Sequence, residues 1–209
     1  MMLQFADSTL PVGSYAHSFG LEGLCQGGFL RSEADLKKFL ERDVSASLLQ
    51  VDLPVMDLAF EVSSAGVMHE VKKVDQLAWA MRPTAQLREA AGRIGRQTWQ
   101  LYTKTWRTED REVPFPYHQA PVVNGVIFSE QGANLQAAQY ALCYQTFSAL
   151  VQSALKLLPI GPTAAQSLLY GALSHLDLSQ VAERPGSFNP LWDISASLHE
   201  RADARLFIS

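Results

Sequence analysis

The residues best suited to chemistry lie close together near the start of the chain. Asp7, Ser8, Ser14, His17, Ser18 and Glu22 put carboxylates, hydroxyls and an imidazole within one stretch, 4–22. A nucleophilic site would pair one of those serines with His17 as base and Asp7 as its orienter. Such a triad needs each group within hydrogen-bond reach of the next, and sequence neighbours seldom meet that geometry. A small-molecule enzyme built from Asp7, His17 and Glu22 is therefore the second reading, and a structured turn or recognition surface the first. Leu10-Pro11-Val12-Gly13 supports the turn, since proline fixes φ and lacks an N–H while glycine opens conformations closed to other residues.

Other catalytic templates fail. The sequence holds no Gly-x-x-x-x-Gly-Lys-[Ser/Thr] phosphate loop, no Gly-x-Ser-x-Gly elbow and no His-Glu-x-x-His helix. His69-Glu70 and His199-Glu200 each lack a second histidine four residues on, so no metal site and no cofactor site is expected. Cys25 and Cys143 match no zinc or redox spacing and read as reduced core thiols. A net charge of −4 argues against a phosphate-backbone binder, so no nucleic acid is expected. No apolar run approaches the ~20 residues that span a bilayer, and the first residues lack the basic and apolar regions of a secretory leader. The expectation is a soluble, cytoplasmic protein with no membrane contact.

The elements that would position these residues are helical. With 209 residues, 47% of them hydrophobic, the chain can bury a substantial core in one domain covering 1–209. Ser32 with Asp35 gives a capping signal, and Leu36, Phe39, Leu40, Val44 and Leu48 follow at helical spacing. Asp52 and Pro54 mark the start of a further helix that ends at 63–66. A short helix covers 71–81. A long one follows Pro83, with Leu87, Ala90, Ala91, Ile94 and Leu101 on one face. Gly92 and Gly95 interrupt it and, with Ala91, predict a small-residue patch where another backbone packs closely. Arg88, Arg93 and Arg96 lie beside that patch, either as a solvated face, the favoured reading, or as a surface for an acidic partner.

Residues 108–119 read as a loop. Residues 121–130 suit a strand or a buried helix, and Asn124-Gly125 would even suit a hairpin turn; helix is preferred for want of a second strand. Residues 134–158 form a long helix stopped by Pro159-Ile160-Gly161-Pro162, with Pro162 in the first turn of the next. Arg184-Pro185-Gly186-Ser187 is a turn and 190–200 a last short helix. Residues 201–209 form a C-terminal arm whose Leu206, Phe207 and Ile208 either fold back or dock on a partner. The fold expected is an all-α, single-domain bundle of about eight to ten helices.

Five separated strings, in order, resemble the UreF-type urease accessory proteins. They are Leu10-Pro11-Val12-Gly13 with Ser18-Phe19-Gly20-Leu21-Glu22; Asp52-Leu53-Pro54; and Arg82 through Glu89, similar to an Arg-x-x-x-Glu-Leu-Arg-Glu segment. Lys156-Leu157-Leu158-Pro159-Ile160-Gly161 with Ala164-Ala165-Gln166 is the fourth, and His199-Glu200 with Arg205-Leu206-Phe207 the last. Pro162 departs from the family's usual glutamine, and Asp203-Ala204 from its common Tyr-Ser pair. The resemblance implies a non-catalytic homodimer that bridges a UreD/UreH-type accessory protein to the GTPase UreG while nickel is delivered to apo-urease. It implies that Arg205, Leu206 and Phe207 dock on the UreD/UreH-type partner, and that Glu22 and Lys156 belong to a UreG-facing patch.

Overall fold

The computed structural model describes residues 2–7, 10, 20–108 and 112–186. Every regular element among them is helical, in an all-α bundle. In chain order these are α1 (Met2–Ala6), α2 (Leu21–Gln26), α3 (Glu33–Lys38), α4 (Ser45–Ser47), α5 (Leu53–Ser64), α6 (Val71–Met81), α7 (Ala85–Thr105), α8 (Ala120–Glu130), α9 (Leu135–Leu157) and α10 (Pro162–His175). Among the described residues no helix is long and apolar enough to cross a membrane. The opening turn 11–19, the helix expected at 190–200 and the arm 201–209 lie outside the described residues.

Helix α8 is the centre of the bundle. Every residue from Pro121 to Phe128 is buried, so the helix is enclosed all round and carries no periodic polar face. That explains why 121–130 reads equally as strand or helix in sequence. Its closest partner is α5, and α7 packs along another side. Gly125 permits the approach to α5, because a Cβ there would lie 2.5 Å from the Met56 carbonyl. Asn124, far from turning a hairpin, sits mid-helix and donates through Nδ2 to Gln145 Oε1 of α9 at 2.9 Å. Gln145 in turn donates to the Phe5 carbonyl of α1, so a partly buried polar chain links three helices.

The helix starts follow their caps. Ser32 Oγ accepts from Asp35 N–H and donates to the Asp35 carboxylate, which also accepts the Arg31 N–H. Thr84 Oγ1 caps α7 by accepting from Leu87 N–H, and Asn134 Oδ1 caps α9 by accepting from Ala137 N–H at 2.7 Å. Pro162 occupies the first turn of α10, where its missing N–H has no helical partner to lose.

At Asp52 and Pro54 the structure differs from the expectation of a new helix. The chain runs without a break from α3 to α5 through two π-helical segments, Phe39–Val44 and Leu48–Asp52. Leu53 N–H reaches back to the Leu48 carbonyl, one residue further than an α-helical bond. The Leu49 and Gln50 carbonyls therefore lose their helical donors, the second because Pro54 has no N–H. Backbone N–H groups of Ala182 and Gly186 replace them at 2.9 and 3.0 Å. The segment after α10 is thus stitched to the widened helix, and the proline is accommodated by an outside strap.

Candidate functional site

The predicted close approach at Gly92 and Gly95 is the best-built feature of the surface. A Cβ at Gly95 would sit 1.9 Å from the His118 carbonyl, and one at Gly92 would lie 2.8 Å from that of Tyr117. The backbone that packs on α7 is thus the end of the 112–119 loop, lying in a groove only glycine leaves open. Asp75 of α6 holds the same loop from the other side. Its carboxylate is buried and accepts the N–H groups of Tyr117, His118 and Gln119 at 2.6, 3.0 and 2.7 Å. Three converging donors allow His118 its positive φ of 57°, unusual for a residue with a side chain. Burial raises the Asp75 pKa, and the three N–H donors and the neighbouring His118 oppose that rise. His118 is held below the ordinary imidazole range by burial, then by the Arg96 guanidinium.

This pinned loop builds one wall of a cleft of about 440 Å³ between α6 and α7. Trp79 and Tyr117 stack at 4.8 Å between ring centroids, and the Arg88 guanidinium lies 4.6 Å from the Trp79 ring centre. Arg88 also donates to the Arg82 carbonyl, while Gln119 Nε2 donates to the Arg88 carbonyl at 3.0 Å. Arg93 and Arg96 are exposed along the same helix and line the cleft with Glu89. The arginines are therefore not simply a solvated face: Arg88 is half-buried and built into an aromatic wall.

The residues singled out in sequence lie elsewhere. Glu22 is buried in α2, 1% exposed, where Gln26 Nε2 donates to its Oε1 at 3.4 Å. Lys156 is exposed in the last turn of α9, the helix on which α2 packs. Arg205, Leu206 and Phe207 fall outside the described residues, as does His17. Of the alternative trio, Asp7 is exposed just past α1 and Glu22 is buried in α2, while His17 lies outside the described residues. Asp75, Trp79 and Tyr117 were not legible as site residues. Asp75 sits in a short amphipathic helix like any surface carboxylate, and its partners are more than forty residues away.

Comparison with known proteins agrees with the motif order. The UreF family profile matches residues 30–173. The urease accessory protein UreF of Trichormus variabilis is 30% identical over 217 residues, covering 100% of this chain and 94% of the relative. Its counterpart from a Nostoc strain is also 30% identical with the same coverage, and that of Paenarthrobacter aurescens is 28% identical over 99% of this chain and 96% of its own. The match extends through the α3–α5 rod, the pinned loop and most of α10, and on that ground the chain belongs to the UreF family of urease accessory proteins.

Proposed function

We propose that the chain is a non-catalytic adaptor of urease maturation: a cytoplasmic homodimer that bridges a UreD/UreH-type accessory protein to a UreG-type GTPase and regulates GTP-dependent nickel delivery to apo-urease. The observation that carries this reading is the near full-length match to urease accessory proteins. The sequence adds that no phosphate loop is present, so nucleotide hydrolysis belongs to the partner.

In this reading the 201–209 arm docks on the UreD/UreH-type partner, with Leu206 and Phe207 buried in it and Arg205 paired at the rim. Ordering an arm costs entropy that apolar burial has to offset. Lys156 presents a charge to the GTPase from the end of α9, and Glu22 supports that surface from within α2. The test is co-elution of the purified full chain, and of a truncation ending at His199, with each partner on size exclusion. Binding of the UreD/UreH-type partner by the full chain alone supports the adaptor and the arm. Equal binding by both reduces the arm to a strap on its own core. Binding by neither, or turnover of a substrate without partners, overturns the adaptor.

A further inference from the structure

We infer that the cleft between α6 and α7 is a docking site for an extended acidic peptide segment of a partner protein, read by Arg88, Arg93 and Arg96 against the Trp79–Tyr117 wall. The cleft runs along α7 from Arg88 to Arg96. At 1.5 Å per residue that is about 12 Å of helix, the length of about four residues of extended chain. Its charge is opposite to that of the molecule: three guanidinium groups and one carboxylate, Glu89, line it in a chain whose net charge is −4. Among the described residues Arg93 and Arg96 have no carboxylate partner, whereas the half-buried Arg82 and Arg107 are each paired with one.

The wall is also preorganised. Tyr117 is held by the Asp75 carboxylate at its N–H, its carbonyl is seated on Gly92, and its ring is stacked on Trp79. Arg88 is fixed by the Trp79 ring and the Arg82 carbonyl, so its planar fork is presented without further ordering. Guanidinium forks match carboxylates in bidentate geometry, and an aromatic wall takes the peptide planes or apolar side chains between them. Glu89 adds a carboxylate acceptor to the lining, which a peptide can meet with a backbone N–H. The inference does not depend on which maturation partners the chain serves.

The test uses the full chain and a fluorescein-labelled hexaglutamate peptide, followed by anisotropy in low-salt buffer. Hexaglutamine and inorganic phosphate are run as competitors. The expected result is saturable binding of hexaglutamate, weakened at least tenfold in Arg93→Glu/Arg96→Glu and unchanged in Lys72→Glu/Lys73→Glu, which changes exposed charges of α6 outside the cleft lining. Hexaglutamine and equimolar phosphate should not compete. Equal weakening by both double variants would mean general charge attraction, and efficient competition by phosphate would mean an inorganic anion site; either overturns the inference, as does no binding at all. Both variants alter exposed side chains only, and matching thermal melts confirm that the fold is intact.

Discussion

Two carboxylates, Asp75 buried and Asp57 half-buried, contribute differently to this fold. Asp75 is stabilising because it satisfies three N–H groups that nothing else reaches. Each buried donor left without a partner costs about 1–3 kcal/mol, and deleting the carboxylate also removes its own desolvation cost. Asp75→Ala should therefore lose about 3 kcal/mol in urea denaturation and free Tyr117 from the Trp79 stack, read as a changed tryptophan emission. Asp57 is a liability. Its Oδ2 accepts from Gln139 Nε2 at 2.7 Å, but burial raises its pKa from 3.8 to about 6, with a smaller push from Glu61. A folded pKa above the unfolded one means that the folded state holds the proton more tightly. The contribution to stability is then greatest below pH 3.8, falls between 3.8 and about 6, and stays low above that. Asp57→Asn keeps an oxygen for Gln139 and cannot ionise. Its Tm should exceed that of the parent at pH 7, and the gap should close as pH falls to about 4; a constant gap across that range would contradict the assignment.

The glycines of α7 show how packing overrides helix propensity. Alanine is about 1 kcal/mol better than glycine inside a helix, so on propensity alone Gly95→Ala should stabilise. At 1.9 Å from the His118 carbonyl and 3.0 Å from the Ala120 backbone nitrogen, the added methyl meets atoms that cannot rotate away. Overpacking typically costs about 1–3 kcal/mol, and here both obstacles are backbone. The net expected is a loss of about 2 kcal/mol, a Tm lower by roughly 4–8 °C in a scanning calorimeter. This close approach was legible in sequence because two glycines and an alanine on one helix face have few other uses. The starts of some helices were legible too, since Ser32 and Pro162 announce theirs locally, whereas the caps at Thr84 and Asn134 emerge only in the fold. What packs on the glycines was not, because a loop that follows twenty residues later leaves no mark on α7. The join at Asp52–Pro54 was misread for a related reason: proline there signals a helix start only if nothing else supplies the missing donors. Ala182 and Gly186, more than a hundred residues on, do so. Likewise α8 has no periodicity to read, because helices on every side bury it.

For the whole molecule, the proposed contacts to two partners rest on different forces and should separate by their response to salt. A buried phenylalanine is worth roughly 1.5–3 kcal/mol, and each 1.4 kcal/mol is tenfold in affinity. Phe207→Ala should therefore weaken the complex with the UreD/UreH-type partner by about ten- to a hundredfold. Apolar burial has no Debye length, so that ratio should hold from about 0.05 to 0.5 M salt. Lys156 is exposed at the end of α9, beside carbonyls that already favour a positive charge there. An exposed ion pair is worth about 0.2–1 kcal/mol and is screened within about 10 Å at 0.1 M salt. Lys156→Ala should accordingly weaken GTPase binding only about two- to fivefold at low salt, with the difference gone at 0.5 M. Titration calorimetry of each variant at both salt concentrations makes the comparison. A Phe207→Ala effect that vanishes with salt would place the arm on a charged rim and not in an apolar pocket. A Lys156→Ala effect that persists at high salt would require a desolvated contact, and an exposed lysine reaches that only if the partner closes over the end of α9.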